Sequence, residues 1–549
     1  MKLTPSQVKN LARRGLQLLV DPDPLPQEKN QALKFFRDQC AYCGKPISSH
    51  DYDLDHIVSA SLGGPNHISN RVPACKHCNA KEKRELPWED FLWKKCLERE
   101  VNDARAARIK EWCKRAGPIP MISETKLRIV KEQSQIISEA YDRAVQLIRN
   151  TSPTIMNHAH RPGIVMATPA QAFRLQVRDS EIDDLRERIA RTRFPDQPPG
   201  EPWAYGTDVA YLRELLDYWR SGFDWRAQEE RLNSLPQFKV PLDGIDLHFL
   251  HVQGKGPRPY PLLLTHGWPG SVFEFLEIIP RLTDPAQFGG DPADAFTVVA
   301  PSLPGYGLSF TPGQMRFSLE RIADCFAELM TEVLGYERFA AQGGDWGAFV
   351  TSRLGAVHAD KLIGIHLNLL AVRRDPQMSN PTPEEQKFLG ELEIWLKEGT
   401  GYQWIQGTRP QTLAFGLSDS PAGLAAWIVE KFRAWSDCGG DVESVFTKDQ
   451  LLANISLYWF TGAIGSSFWP YYARMHGPWP IPEGGVKVPT GYAEFPREIL
   501  HPPRSTAEKI YTDIRRWTAM PRGGHFAAME QPEALAREIA EFFRPLRPQ

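Results

Sequence analysis

The hydrophobic pattern of the chain changes character at Phe238. From there on, short apolar runs bounded by glycine and proline alternate with stretches of helical periodicity; the runs are DLHFLHV, YPLLLTHGWPGS, AFTVVAPSLPGYG and RFAAQGGDWG. Strands that alternate with helices predict an α/β fold whose mostly parallel sheet is covered on both faces. Between residues 368 and 487 the strand pattern gives way to helical, Trp-rich sequence, which predicts a helical cap inserted between two parts of the core, 241–367 and 488–549.

The sequence before the sheet divides into three further segments. Residues 171–240 are helical and rich in Trp and Arg. Apolar positions at helical spacing predict a long helix from Glu124 to Asn150, followed by an aperiodic linker, so we expect residues 114–170 to be helix and linker. Residues 1–113 form a separate module with a helix predicted from Thr4 to Leu19. A chain of 549 residues exceeds what one hydrophobic core usually spans, so several domains are expected.

Charge and composition narrow the choice of partners and compartment. No apolar run approaches the ~18 to 20 residues of a membrane helix, and the first residues do not resemble a secretion signal, so we expect a soluble, cytoplasmic protein without a membrane partner. Residues 1–150 carry a formal charge of +7 and the remainder carries −9. Only the N-terminal part could therefore meet a polyanion such as DNA favourably. The composition leaves a homodimer open.

The segment RFAAQGGDWGAFV contains the candidate nucleophile. An apolar strand runs into Gly343-Gly344-Asp345-Trp346-Gly347 and a helix leaves it, which is the pattern of a nucleophile elbow. Asp345 stands where serine is more usual. A carboxylate attacks an sp³ carbon without deprotonation and gives an alkyl ester that water can cleave. The alternative is that Asp345 only caps the helix.

The partners that such a nucleophile needs follow in the expected chain order. HGWPGS follows the strand Pro261 to Thr265, so the N–H groups of Trp268 and Trp346 are the predicted oxyanion donors. Glu498 follows the strand-like VKVPT and is the predicted acid, with Glu494 as a weaker rival. His525, in RGGHF near the C-terminal end, is the predicted base.

Together, HGWPGS, QGGDWG, GYAEFPREIL and RGGHFAAMEQPE resemble the microsomal type of epoxide hydrolase, and the similarity covers nearly all of residues 170–549. The resemblance implies that Asp345 attacks an oxirane carbon, that His525 activates water and that Glu498 supports His525. It also implies two cap tyrosines that protonate the departing oxygen; these are Tyr402 and either Tyr471 or Tyr472, with Tyr471 favoured. The implied substrate is a small epoxide, and no cofactor is expected for this part of the chain.

A haloalkane dehalogenase is the main enzymatic alternative. Such enzymes share the aspartate elbow and often carry tryptophan directly after it, as Trp346 is here. They stabilise a leaving halide with N–H donors and need no acid pair. An epoxide oxygen leaves as a basic alkoxide and gains from a proton, so Tyr402 and Tyr471 favour the epoxide hydrolase.

The N-terminal module carries a strong metal signal. Cys40 and Cys43 form one C-x-x-C pair, and Cys75 and Cys78 form a second. Four thiols in two such pairs predict a tetrahedral, structural zinc site.

Between and after these pairs, the residues of DLDHI, Asn70 and Asn79 resemble an HNH (ββα-metal) nuclease over roughly residues 30–90. The resemblance implies that His56 is the base, that Asp55 and Asn79 hold Mg²⁺ or Mn²⁺, and that Asn70 orients the His56 loop. DNA would be the partner, contacted by nearby basic side chains: Lys76, Lys81, Lys83, Arg84, Lys94 and Lys95. His77 is expected only to form hydrogen bonds. A zinc-stabilised domain that binds or packs without cleaving is the alternative, and HNH endonuclease as the main activity of the chain is another.

The sequence gives no reason for joining these two modules. Met156 and Met166 stand where a free-standing hydrolase could begin, so a genuine fusion and a joining artefact both remain open.

Overall fold

The structure, a computed structural model, describes residues 21, 23–48, 52–58, 66–83, 86–96, 98–117, 169–372 and 380–547. The chain divides into two compact units, Met1–Arg161 and Pro162–Gln549. The helices predicted for Thr4 to Leu19 and for Glu124 to Asn150, most of the linker, and Met156 and Met166 lie outside the described residues.

The first unit is built on an antiparallel hairpin. Strand β1 (Tyr52–His56) pairs with β2 (Arg71–Cys75) so that Tyr52 faces Cys75 and His56 faces Arg71. A π-helix, His77–Lys83, follows β2. The order strand, strand, helix is the one predicted for a ββα-metal domain. The α-helices of this unit are Pro26–Phe35, Trp88–Lys95 and Arg99–Arg115.

The second unit contains a large sheet, as the alternating pattern predicted. Its strands among the described residues are β3 (Gln171–Phe173), β4 (Gln237–Leu242), β5 (Ile245–Val252), β6 (Tyr260–Thr265), β7 (Phe296–Pro301), β8 (Phe339–Gly343), β9 (Leu362–Leu367), β10 (Thr490–Glu494) and β11 (Ile514–Ala519). They are ordered β11-β10-β9-β8-β6-β7-β5-β4-β3. The six strands from β6 to β11 are parallel, whereas β3, β4 and β5 join antiparallel at one edge. This is a mostly parallel α/β sheet, and strand β8 is buried along its whole length.

Helices cover this sheet because their apolar positions fall on one face. In Leu319–Glu328, for example, Ile322, Ala323 and Phe326 are fully buried. The helices before the sheet are Asp179–Ala190, Val209–Ser221 and Trp225–Asn233. Those within the core are Ile278–Thr283, Leu319–Glu328, Asp345–Val357, Arg504–Ala507, Ala527–Glu530 and Pro532–Phe543.

Helical sequence between β9 and β10 forms the predicted cap. Its helices are Pro383–Ile394, Gly401–Thr408, Pro410–Asp419, Pro421–Trp435, Lys448–Thr461, Ile464–Ser467 and Trp469–His476. Thr382 and Thr447 begin two of them with capping boxes. No helix in the described part of the chain is long and apolar enough to cross a bilayer.

Buried hydrogen bonds join the cap to the loop after β6. Asn454 donates to the carbonyl of Pro269 (2.8 Å) and accepts from the hydroxyl of Ser271 (2.7 Å), and Tyr458 donates to the carbonyl of Gly270 (2.8 Å). The loop after β6 also carries the predicted oxyanion donor. These hydrogen bonds therefore fix the position of the cap relative to the candidate site.

Candidate active site and metal centre

Asp345 lies at the turn between β8 and the helix Asp345–Val357. Its φ of 46° is in the left-handed region, which is strained for a residue other than glycine and is found at functional turns. A side chain at Gly343 would collide with the backbone of Gly347, and one at Gly347 would collide with the carbonyl of Thr265. The small residues of the elbow are therefore required by the close approach of strand and helix.

The loop after β6 places a donor on the Asp345 carboxylate. The N–H of Trp268 donates to Asp345 Oδ1 at 2.8 Å, and a side chain at Gly267 would collide with that carboxylate. His266, beside them, is buried; burial lowers its pKa to about 4, and its Nε2 accepts from the N–H of Leu303. The neutral imidazole thus fixes the loop. The N–H of Trp346 belongs to the first helical turn, where backbone donors have no acceptor within the helix.

His525 joins the other carboxylate oxygen to a second acid. Its Nε2 lies 3.3 Å from Asp345 Oδ2, and its Nδ1 lies 2.5 Å from Glu498 Oε1. Burial by itself would lower the pKa of His525, but the carboxylates of Glu498 and Asp345 outweigh it and hold this pKa well above its usual value. The rival acid, Glu494, instead accepts from the indole N–H of Trp517 at 3.0 Å.

Two tyrosines of the cap lie close to Asp345 and His525. Tyr402 and Tyr471 are both buried, with ring centroids 5.7 Å apart. The ring of Tyr402 stacks on the ring of Trp268, with the centroids 5.3 Å apart. The ring of Tyr471 packs edge-to-face against that of Trp346, with the centroids 4.7 Å apart. Burial, together with the charge of Asp345, raises the pKa of both hydroxyls, so both stay protonated.

The neighbouring tyrosine has a different environment. Tyr472 is only partly buried, and its ring stacks on Trp469 (4.9 Å) and His476 (4.1 Å). The structure thus brings Tyr471, rather than Tyr472, into the group around Asp345.

Glu274 is a third carboxyl group of the site that was not predicted from the sequence. It lines a cavity together with Asp345, His525 and Trp268. Burial raises the pKa of Glu274 to about 8, and the nearby carboxylate of Asp345 adds to this effect. The available signal was the spacing of Ser271 and Glu274, which resembles a capping box and so points to helix initiation rather than to a site.

Two further neighbours of the site, Trp435 and Asn368, were also not predicted from the sequence. Trp435 lies at the end of a cap helix. Its carbonyl accepts a hydrogen bond from the backbone N–H of His525 at 2.8 Å, and the centroids of its ring and of the imidazole are 5.1 Å apart. Asn368 follows β9, lines the same cavity and accepts from Gln342 at 2.8 Å. Neither carries a local motif, because each reaches the site only through the tertiary fold.

The four cysteines of the first unit form one cluster. Their sulfur atoms all lie within 4.8 Å of one another, and Cys43 Sγ and Cys75 Sγ are 3.8 Å apart. Tetrahedral zinc with Zn–S bonds of ~2.3 Å separates its sulfur ligands by about 3.8 Å, so the cluster fits a structural zinc ion. It is the only cluster of three or more potential Cys, His, Asp or Glu ligands within the described ranges.

The supporting residues of the HNH resemblance lie around β1. Asn70 accepts from the N–H of Val58 (2.9 Å) and donates to its carbonyl (3.0 Å), so it holds the chain just after His56. His56 Nε2 lies 3.1 Å from Asn66 Oδ1. Asn79 donates to Asp53 at 3.4 Å, and His77 is exposed.

Asp55 has partners that the sequence did not suggest. It is buried, accepts from the hydroxyl of Tyr42 (2.6 Å) and lies 2.9 Å from Lys83 Nζ. The prediction that Lys83 belongs to a surface for phosphate was wrong, because its side chain is almost fully buried (2% exposed) against this carboxylate. Among the other basic candidates, Lys76 and Lys94 are exposed. The Oδ2 atom of Asp55 already contacts an ammonium and a hydroxyl group, so this atom does not fit the role of a Mg²⁺ or Mn²⁺ ligand.

The sheet order, the elbow and the helical cap define the second unit as an α/β-hydrolase. Family models agree: residues 170–275 match the epoxide hydrolase N terminus, and residues 260–400 match the alpha/beta hydrolase fold. Epoxide hydrolase 1 of the rabbit, Oryctolagus cuniculus, is 40% identical over 400 residues, which cover 67% of this chain and 88% of the relative. The chain belongs to the epoxide hydrolase family, as the sequence resemblance predicted.

Solved structures agree with this membership. Juvenile hormone epoxide hydrolase of the silkworm Bombyx mori superposes with a TM-score of 0.62 at 31% identity, covering 70% of this chain and 96% of its own. The epoxide hydrolase of Aspergillus niger gives a TM-score of 0.61 at 30% identity, covering 70% and 98%. In the first unit, residues 40–89 match a model described as HNH endonuclease, which confirms that resemblance.

Proposed function

We propose that the protein hydrolyses small epoxides to vicinal diols through a covalent ester on Asp345. The observation that carries the proposal is the contact of one carboxylate with a Trp268 N–H at 2.8 Å on one oxygen and with His525 at 3.3 Å on the other. A nucleophile, a base and an oxyanion donor are thereby within reach of a single ester carbonyl.

In the first step, Asp345 attacks an oxirane carbon and the C–O bond on that carbon breaks. The departing oxygen becomes basic and takes a proton from Tyr402 or Tyr471. Positioned proton donors of this kind contribute roughly 10²- to 10⁴-fold to a rate. Because burial keeps both hydroxyls protonated, they can act as acids at neutral pH.

In the second step, neutral His525 removes a proton from water, whose oxygen attacks the carbonyl carbon of the ester. The bond between this carbon and the ester oxygen breaks, and the diol leaves with the proton held by His525. The proton of the new carboxyl group returns to the tyrosine, so Asp345 is again a carboxylate. Formation of the ester removes the negative charge of Asp345, one of the two carboxylates that raise the pKa of His525. After alkylation the pKa of His525 is therefore lower than before it. The imidazolium gives up its proton more readily, and the neutral imidazole can then act as a base. Glu498 stabilises the imidazolium formed, and the N–H of Trp268 stabilises the oxyanion.

The route of the water oxygen tests this proposal. In a single turnover of styrene oxide in H₂¹⁸O with excess enzyme, the label should enter the Asp345 carboxylate and not the diol, because water attacks the carboxyl carbon. Asp345→Asn should form neither adduct nor diol, whereas Asp360→Asn, at an exposed position, should behave as wild type. Diol formation at the wild-type rate by Asp345→Asn would contradict the assignment.

Haloalkane dehalogenation is a competing proposal for the same nucleophile. The buried pair Tyr402 and Tyr471 supports the epoxide instead, because a halide leaves without needing a proton. Release of bromide from 1-bromobutane, without diol formation from epoxides, would favour the dehalogenase.

For the first unit, the proposal is a structural zinc ion held by Cys40, Cys43, Cys75 and Cys78. Metal-dependent DNA cleavage is a second candidate, which the HNH family match alone favours. Nicking of supercoiled plasmid with Mg²⁺ or Mn²⁺ that disappears in His56→Ala would support it, and absence of nicking by wild type would remove it.

A further inference from the structure

The first unit contains a buried ion pair at the position where the HNH resemblance puts a divalent ion. Lys83 Nζ lies 2.9 Å from Asp55 Oδ2 and donates to the carbonyl of His56 at 2.8 Å. The side chains of Lys83 and Asp55 are 2% and 8% exposed. Tyr42 completes the cluster, since its hydroxyl donates to the same Oδ2 atom and its ring lies 5.8 Å from the ammonium.

We propose that Lys83 is an internal cation that replaces the divalent metal of the HNH-like module. The first unit is then a zinc-stabilised fold that binds neither Mg²⁺ nor Mn²⁺ through Asp55 and does not cleave DNA.

Electrostatics supports this replacement. A Mg²⁺ ion binds a carboxylate oxygen at ~2.0 to 2.1 Å and usually keeps several waters. At Asp55 Oδ2 such an ion would share one buried oxygen with the ammonium of Lys83 and the hydroxyl of Tyr42. Two cations would then lie close together where water cannot screen them, whereas the single ammonium already neutralises the carboxylate.

The position of Asn79, the other predicted metal ligand, agrees with the replacement of the metal by Lys83. Asn79 and Lys83 both belong to the helical stretch His77–Lys83, and Lys83 follows Asn79 by about one turn. The Asn79 amide donates to Asp53 instead of joining Asp55, which is engaged by Lys83. The segment that should complete a metal site thus provides the cation itself.

Manganese binding tests the proposal directly on the full-length protein. With zinc present at one equivalent, Mn²⁺ titrations followed by electron paramagnetic resonance should be the same for wild type and Asp55→Asn. Neither protein should nick plasmid in Mn²⁺. Mn²⁺ binding or nicking by wild type that is lost in Asp55→Asn would overturn the proposal.

A double-mutant cycle tests the pair independently of any nuclease assay. Lys83→Met leaves a buried carboxylate uncompensated, so zinc retention, measured by competition with a chelator, should fall about a hundredfold or more. Asp55→Asn should also weaken retention, and the double variant should retain zinc better than the two single losses together predict. Lys94→Met, at an exposed lysine of the same unit, is the matched control and should be unchanged. If the losses of zinc retention in the two single variants simply add in the double variant, Asp55 and Lys83 do not interact as proposed.

Discussion

The contact between His525 and Glu498 makes a quantitative prediction about one catalytic step. Glu498→Gln keeps the size and a hydrogen-bond acceptor but removes the negative charge that lies 2.5 Å from Nδ1. Both side chains are buried (2% and 0% exposed), so solvent screens the pair little. Removing one partner of a buried pair costs ~3 to 5 kcal/mol, and the amide retains part of the bond, so we expect a loss of about 2 to 4 kcal/mol.

That loss should fall on ester hydrolysis rather than on ring opening. His525 gains positive charge when it takes a proton from water, and Glu498 stabilises this charge, whereas Asp345 attacks without it. At ~1.36 kcal/mol per factor of ten, hydrolysis of the ester should slow by about 30- to 1,000-fold. The alkylated enzyme should then accumulate.

Rapid quenching followed by intact-protein mass spectrometry measures both steps. In Glu498→Gln the adduct, heavier by the mass of one epoxide, should form at nearly the wild-type rate and decay slowly. Glu494→Gln is the matched control, since Glu494 bonds Trp517 rather than His525, and it should hydrolyse the ester normally. Decay within about threefold of wild type, or loss of adduct formation itself, would refute this role of Glu498.

Three further predictions follow from the same structure. Tyr402→Phe and Tyr471→Phe should each slow adduct formation by roughly 10- to 1,000-fold, measured in a single turnover, whereas an equal loss in Tyr472→Phe would reject the choice between the neighbours. Burial raises the folded-state pKa of Glu274 from 4.5 to about 8. The folded protein thus holds a proton that the unfolded chain releases, and stability falls as pH rises from 4.5 through 8, by about 5 kcal/mol in all. Glu274→Gln should avoid this fall in urea unfolding of the second unit, and parallel pH profiles would disprove it. Zinc removal by a chelator, or Cys78→Ser, should reduce the helical circular dichroism of the first unit and leave diol formation intact, since every proposed catalytic residue of the hydrolase lies in the second unit.

Much of the architecture follows from local sequence. Alternating strand and helix patterns predicted the parallel sheet, and the loss of strand pattern predicted the cap between β9 and β10. The elbow around Asp345, the HGWPGS loop and the paired cysteines are equally local. Their constraints operate within a few residues: close approach at a turn, backbone donors after a strand, and thiols two residues apart.

Only the tertiary structure decided which of several similar residues belong together. The sequence offered Tyr471 beside Tyr472 and Glu498 beside Glu494, and the packing of the cap and the loop after β10 places one member of each pair near the Asp345 group. It also placed Glu274, Trp435 and the Asp55–Lys83 pair, whose partners lie on separate elements. A linear pattern records spacing along the chain, but burial and charge pairing depend on distances that exist only after folding.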